Sequence, residues 1–184
     1  MQSTQAGDRD AAAPVAEHLR RGDYSDVAPA FGSGPAERAD APLVAWIEAG
    51  AFPDDPALLA EALTCACWLG RTGVAAYLLD RGVDPAAGTL GTGTDALNWA
   101  ANRGQLDAVR LLLARGAPIE TRNQWGGTPL AFAVWSSVHE PRPGHPSVVE
   151  ALLAAGARAE VADFPSGRAD VDAVLARYRP GPGA

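Results

Sequence analysis

Large apolar residues recur along the chain in segments that each end at a glycine. Each of these glycines follows an apolar pair such as Leu78-Leu79, and their spacings are 32, 34 and 40 residues. Glycine reaches the positive φ that ends a helix, because it carries no Cβ. The pattern therefore predicts a helix before each glycine. The segments are LVAWIEAGAFPD at 43–54, AAYLLDRGVDPA at 75–86, AVRLLLARGAPIE at 108–120 and VVEALLAAGARAE at 148–160.

A second recurring block precedes three of these segments and predicts a further helix in each. Thr128 and Pro129 form a good N-cap and first helical residue, and Asp55 with Pro56 offers the same pair earlier in the chain. Asp95 is a candidate cap for the block between them. Each unit therefore reads as a helix, a tight turn, a second helix and a loop led by glycine. The blocks are EALTCACWLGR at 61–71, DALNWAANRGQ at 95–105 and TPLAFAVW at 128–135.

The period, the TPL motif and the stretch AANRGQLDAVRLLLARGA closely resemble the ankyrin repeat. The resemblance implies an all-α solenoid of stacked helix-turn-helix units, with β-turn fingers, a concave groove and atypical end caps. One such unit cannot bury its apolar face alone, so stacking must stabilise the chain. We expect repeats at 56–87, 88–122 and 123–162.

Both ends depart from the repeat pattern, as terminal repeats must. We expect residues 1–9 to be disordered and 10–55 to form a degenerate repeat or cap. Its second helix is either 41–49, or a short helix at 24–31 followed by one from 36 to 49. At the other end, 163–179 is expected to hold a capping helix over 168–178, followed by a tail at 180–184. The apolar side of that helix is predicted to contain Val171, Val174, Leu175 and Tyr178.

The longest glycine spacing points to an insertion at 136–143, between the two helices of one repeat. The stretch SSVHEPRPGHP contains His139, Glu140 and His145, which suggests a metal or acid–base site. Its prolines favour a stiff, extended loop, and adjacent residues seldom converge on one ion. His145 occupies the Gly-His position of the ankyrin pattern, so the resemblance implies a structural turn residue. We expect no metal, no cofactor and no catalytic residue here.

Composition and charge narrow the classes of function. The net charge is −7, and all cationic side chains are arginines, which disfavours nucleic-acid binding and anionic membranes. No apolar run reaches the length of a membrane span, and the N-terminus lacks a signal-peptide layout. We expect a cytoplasmic monomer, and the arginine and alanine usage suggests a bacterium with a GC-rich genome. Cys65 and Cys67 are interpreted as small buried residues.

Catalytic sequence motifs are missing from the chain. The stretch GTLGTGTD at 88–95 is rich in glycine, but it lacks the lysine of a phosphate-binding loop. Its position in the ankyrin pattern is that of a finger. We therefore expect a protein that is not an enzyme.

Five tryptophans stand out in a chain poor in aromatic residues. Tryptophan and arginine often anchor protein interfaces. The resemblance places the ends of first helices and the fingers along the groove, with Trp46 and Trp99 in packing positions. The predicted contacts with a partner protein or peptide are Trp68, Leu69, Thr92, Thr94, Asn102, Arg103, Arg122, Gln124, Trp125, Trp135, Ser136, His139 and Glu140.

Two other functions compete with this interaction module. The 136–145 loop and Trp135 could enclose a pocket for a substrate or small ligand. Self-association through the groove is the third hypothesis. A step from fold to function is an analogy in each case, so the arrangement of the side chains must decide.

Overall fold

The computed structural model describes residues 2–35, 40–90 and 92–179, and the fold is all-α. Within those ranges, β-pairing is limited to a bridge between Gly88 and Asp95. The chain divides into two compact units, Met1–Ala96 and Leu97–Ala184. The helices are α1 (Gln2–Arg20), α2 (Pro42–Glu48), α3 (Pro56–Leu69), α4 (Thr72–Asp80), α5 (Ala96–Asn102), α6 (Leu106–Ala114), α7 (Pro129–His139), α8 (His145–Ala154) and α9 (Ala169–Tyr178).

In the first unit, α3 packs against α4 and also contacts α1, which in turn touches α2. A short 3₁₀ turn at Ala28–Phe31 lies against α2. Cys65 and Cys67 are fully buried in α3, as the sequence predicts for small core residues. The large side chains of this core are Leu19, Phe31, Leu43, Leu58, Leu63 and Leu78.

In the second unit, α8 is central and contacts α6, α7 and α9. Val171, Val174 and Leu175 of α9 are buried, so this helix is amphipathic, with the apolar spacing that the sequence predicts. Tyr178 differs from the prediction, because it is 40% exposed at the last turn of the helix. The large buried leucines of this unit are Leu97, Leu112, Leu130, Leu152 and Leu175.

Local capping chemistry fixes the starts of two helices where the sequence predicts them. The Asp55 side chain accepts a hydrogen bond from the Ala57 N–H at 3.0 Å, and Pro56 follows as the first residue of α3. Thr128 accepts from the Ala131 N–H at 3.3 Å, at the start of α7. Side-chain oxygens at these positions satisfy N–H groups that have no partner within the helix.

The N-terminal segment differs from the expected disordered stretch over 1–9. The described residues 2–9 belong to α1, whose alanine-rich sequence favours a helix. Ala12, Ala16 and Leu19 bury one side of this helix.

The sequence allows two arrangements after α1: a helix at 41–49, or a short helix at 24–31 followed by a helix from 36 to 49. The helix observed here starts later than the second arrangement predicts. The second helix, α2, starts at Pro42, and Ala41 before it has an extended backbone. This start agrees with the predicted helix at 41–49. Residues 36–39 and the expected tail at 180–184 lie outside the described ranges.

The insertion at 136–143 begins as helix and not as an extended loop. Residues 136–139 continue α7 to His139, and the Ser137 hydroxyl donates to the Val134 carbonyl at 2.7 Å. Only the segment from Glu140 to Gly144 links α7 to α8. The first helix of this unit is thus lengthened, which brings His139 onto the helix surface.

Candidate interaction face

Aromatic side chains of the second unit form a connected row at its surface. Phe132 lies between Trp125 and Trp135, with ring centroids 5.6 and 6.3 Å away. The Trp135 indole stacks on the His139 imidazole, with centroids 4.3 Å apart. We call Trp125, Phe132, Trp135 and His139 the aromatic face. The ring of Trp99 also packs against Phe132, with centroids 5.8 Å apart. Trp99 is half-buried, which agrees with its predicted packing role.

Two large apolar side chains of the aromatic face are exposed to solvent. Trp125 is 66% exposed and Trp135 is 45% exposed, while Phe132 between them is only 9% exposed. Val138 lies on the same helix and is 41% exposed. Residues three or four apart share one side of a helix, which explains why Phe132, Trp135 and His139 align along α7. The result is two projecting indoles beside a recessed phenyl ring.

The finger that carries Trp125 is held by one buried amide. Asn123 is 6% exposed, and its Oδ1 accepts hydrogen bonds from Trp125 N–H at 3.1 Å and Gly127 N–H at 2.9 Å. Gly126 has a φ of 80°, which closes the turn in a conformation that favours glycine. The Arg122 guanidinium donates to the Gly126 carbonyl at 2.7 Å. Trp125 is therefore presented by a braced turn, with Gln124 exposed beside it.

One end of the aromatic face is polar. Arg103 Nη1 lies 3.6 Å from Glu140 Oε2, and Glu140 follows His139 directly. Burial lowers the pKa of Arg103, the nearby charge of Arg142 lowers it further, and Glu140 raises it. The two predicted contact residues Arg103 and Glu140 are thus brought together next to His139.

His145 is a structural residue, as the sequence predicts. It is fully buried at the start of α8, and its Nε2 lies 2.8 Å from the Asn102 carbonyl oxygen. Its Nδ1 accepts from the Arg142 N–H at 3.1 Å, so Nε2 carries the proton. Burial, the largest cause, lowers the pKa of His145. Both ring nitrogens serve to fix the loop after α7.

Three of the predicted contacts are buried and cannot touch a partner. Thr94 and Ser136 are fully buried, and Asn102 is 5% exposed. The Asn102 side-chain N–H donates to the Ser136 hydroxyl, so the two residues join α5 to α7. The repeat pattern places Asn102 on the groove because it aligns with Trp68 and Trp135, and it places Ser136 there because it follows Trp135. In the structure both side chains are buried.

The predicted contacts of the first unit lie on α3 and on the finger at 88–95. Trp68 and Leu69 are half-buried, and Trp68 meets the Tyr24 ring edge to face at 5.7 Å. The Thr92 hydroxyl is 2.7 Å from that of Thr89 and braces the finger. Leu90, which the sequence does not single out, is 50% exposed on the same finger.

A buried carboxylate anchors this finger and was also missed. Glu61 is fully buried, and its two oxygens accept from the Tyr24 hydroxyl at 2.6 Å and from the Leu90 N–H at 2.8 Å. Burial raises the pKa of Glu61, although both hydrogen bonds lower it. A glutamate in the middle of an apolar block is a signal of such an anchor, because an unpaired buried carboxylate is costly.

The described residues offer little for metal or pocket chemistry at the aromatic face. They contain no group of three or more His, Cys, Asp or Glu side chains placed to hold a metal ion. Beside the 136–145 loop, the Trp135 indole stacks on the His139 imidazole. An open cavity of about 490 Å³ lies elsewhere, between α6 and α8. Within the described ranges, no helix has both the length and the apolar character of a membrane span.

Comparison with protein families gives a match to a model described as "Ankyrin repeats (3 copies)", over residues 65–163. Human cyclin-dependent kinase inhibitor 2A is 31% identical over 130 residues, which cover 66% of this chain and 79% of that protein. Ankyrin repeats generally mediate protein–protein interaction, and their family is generally non-enzymatic.

Two other relatives share shorter segments. A probable E3 ubiquitin-protein ligase of Oryza sativa subsp. japonica, XBOS33, is 40% identical over 80 residues, or 44% of this chain. Protein PhlB of Serratia liquefaciens is 48% identical over 64 residues, or 34% of this chain. This chain spans only 14% of the rice protein and 28% of the Serratia protein.

Proposed function

We propose that this chain, which belongs to the ankyrin-repeat family, is a non-enzymatic module that binds a partner protein through its aromatic face. The observation that carries the proposal is the exposure of Trp125 and Trp135, at 66% and 45%, around the recessed Phe132. Exposed tryptophans are costly to leave in water, and they are among the residues that dominate binding energy.

The restraints on the aromatic face support a role in binding. The backbone of Trp125 is held by the Asn123 amide, its ring packs 5.6 Å from Phe132, and Trp135 is stacked on His139 along α7. Side chains that are fixed before binding lose little conformational entropy on association. The face therefore has the properties of a preorganised anchor.

Polar groups at both ends complete the proposed binding surface. Arg122 and Gln124 flank Trp125 on the finger, and Arg103 with Glu140 flanks His139. Interfaces commonly surround an aromatic centre with a polar rim that sets orientation and specificity. Trp68, Leu69 and Thr92 of the first unit remain predictions for additional contacts.

Affinity capture from the source organism tests this proposal. The wild-type chain, the Trp125→Ala/Trp135→Ala double variant and Tyr178→Ala serve as baits, with bound proteins quantified by mass spectrometry. Tyr178 is a matched control, because it is a 40% exposed aromatic residue of α9 in the same unit. A protein captured by the wild type and Tyr178→Ala, but lost with the double variant, is expected. Equal capture by all three folded baits would refute the assignment of the aromatic face.

A further inference from the structure

Two arginines, Arg103 and Arg142, lie on neighbouring segments at the polar end of the aromatic face. Arg103 precedes the Gly104 turn after α5, and Arg142 belongs to the loop between α7 and α8. A Cβ on Gly104 would lie 3.5 Å from the Arg142 Cβ, and one on Gly144 would overlap the Gly104 carbonyl oxygen. The two backbones are therefore in direct contact.

The contact between these segments is also fixed by hydrogen bonds. His145 donates to the Asn102 carbonyl at 2.8 Å and accepts from the Arg142 N–H at 3.1 Å. On the other side, Arg168 donates to the Arg142 carbonyl at 3.4 Å. The arginine pair, Arg103 and Arg142, is thus held in place by its backbone, independently of the two guanidinium groups.

The positive charge of the arginine pair is poorly compensated at Arg142. The Arg142 side chain forms no hydrogen bond or ion pair with the described part of the chain, and its Nε is buried. Arg103 has an ion pair with Glu140 at 3.6 Å, but the Glu140 side chain is 51% exposed. The charge of Arg142 also lowers the pKa of Arg103, which indicates that the two cations repel each other.

An added anion would relieve the repulsion within the pair, because neighbouring like charges repel each other. A carboxylate bound by two guanidiniums gains charge-assisted hydrogen bonds, which are the stronger kind. The chain as a whole has a net charge of −7, so a positive site on it is a local feature and not a general surface property.

Glu140 indicates where such an anion would bind. Its carboxylate already sits near Arg103, immediately after His139 at the end of α7. Because Glu140 is exposed, a carboxylate from outside can compete with it for Arg103, next to the segment that carries Arg142. The site is continuous with the aromatic face through the His139 stack on Trp135.

We infer that the partner docks an acidic peptide segment here, with an apolar side chain on the aromatic face and an aspartate or glutamate carboxylate on Arg103 and Arg142. This inference rests on the proposed function of the aromatic face. It adds the chemical class of the partner, which the aromatic residues alone do not define.

Selection from a library of random linear peptides, with the full chain as bait, tests the inference. The baits are wild type, Arg103→Gln/Arg142→Gln, Trp125→Ala/Trp135→Ala, and Arg110→Gln as an exposed arginine control from α6. Wild type and Arg110→Gln are expected to enrich peptides with a large apolar residue and a nearby Asp or Glu. The Arg103→Gln/Arg142→Gln bait should keep the apolar preference and lose the acidic one.

The best selected peptide then gives a quantitative test. Loss of both arginines, or replacement of the peptide acid by its amide, is expected to weaken binding about tenfold. Glu140→Gln removes the competing carboxylate and should strengthen binding about two- to fivefold. The amide peptide needs no change to the protein, so misfolding of a variant does not obscure the outcome.

The possible failures separate the two proposals. Enriched peptides that depend on the tryptophans but show no acidic preference would overturn the acidic partner and leave the aromatic face standing. An acidic preference that survives loss of both arginines would also overturn it. Peptides that bind equally well without Trp125 and Trp135 would overturn the proposed function itself.

Discussion

The imidazole of His139 lies nearly parallel to the indole of Trp135, with centroids 4.3 Å apart and planes inclined by 13°. The His139 Nδ1 is also 2.8 Å from the Trp135 carbonyl oxygen, one helical turn earlier. Both contacts lie within α7, so the helix itself orients the exposed indole. The aromatic face is therefore fixed by local helix geometry at this end and by the Asn123 turn at the other.

Replacing His139 by alanine should weaken partner binding without unfolding the chain. The stack restrains Trp135, and aromatic pairs of this kind contribute about 1 kcal/mol, or roughly a fivefold change in affinity. Titration calorimetry with the captured partner measures this effect, and circular dichroism checks the fold. An affinity equal to that of the wild type would show that Trp135 needs no support from His139.

Asn123→Ala should reduce binding although Asn123 is 6% exposed. Without its Oδ1, the N–H groups of Trp125 and Gly127 lose their acceptor and the finger loses its fixed shape. We expect a loss of about 1–2 kcal/mol in the free energy of unfolding, and weaker binding in addition. Asn123→Asp keeps the acceptor oxygen and should restore most of the binding. Failure of this rescue would argue that the amide N–H is what matters.

His145 should make the chain less stable as the pH falls. Its pKa is lowered in the folded state, so protons bind preferentially to the unfolded chain, whose histidine titrates near 6.5. The contribution of His145 is therefore complete above pH 6.5 and is lost progressively below it. Glu61 is expected to change the free energy of unfolding with pH in the opposite direction. The pH profile of the wild type alone therefore cannot isolate His145, and a His145 variant is needed for comparison.

His145→Gln is the matched variant for that measurement. It should lower the free energy of unfolding by about 2–3 kcal/mol at pH 8, because it disturbs a buried hydrogen-bonded side chain. The difference from wild type should shrink in urea titrations as the pH falls below about 6.5. His139→Gln, at an exposed position, serves as the control. A difference that stays constant with pH would contradict the buried neutral imidazole.

Glu61 should show the opposite dependence on pH. Its folded-state pKa is raised above the usual 4.5, so its stabilising contribution is complete below pH 4.5 and is lost as the pH rises through the folded value. Relative to Glu61→Gln, the wild type should therefore gain stability as the pH falls through the folded-state pKa toward 4.5. Tyr24→Phe should change this difference, because the Tyr24 hydroxyl donates to Glu61 at 2.6 Å. Parallel pH profiles for wild type and Glu61→Gln would rule out this assignment.

The sequence predicted those features that depend on a few neighbouring residues. Asp55 and Thr128 cap their helices, and the glycines at 50, 82, 116 and 156 all have positive φ. Each of these outcomes follows from local backbone chemistry, which does not require knowledge of the packing. The capping helix α9 was predictable for the same reason, from its apolar spacing.

Features that depend on contacts between distant segments were predicted poorly. Phe132 was absent from the predicted face, because nothing in AFAVW distinguishes a core phenylalanine from one beside two exposed indoles. Asn102 and Ser136 were placed on the surface, yet they bind each other across 34 positions. The helical extension to His139 was missed because the prolines from Pro141 onward suggested an earlier break.

The most direct test of the aromatic face is the affinity of the captured partner for the Trp125→Ala/Trp135→Ala variant. Isothermal titration calorimetry should be run on wild type, this double variant and Tyr178→Ala, after circular dichroism has shown all three to be folded. We predict a loss of at least about 2 kcal/mol, or roughly thirtyfold in Kd, for the double variant alone. A dissociation constant unchanged from wild type would contradict the account.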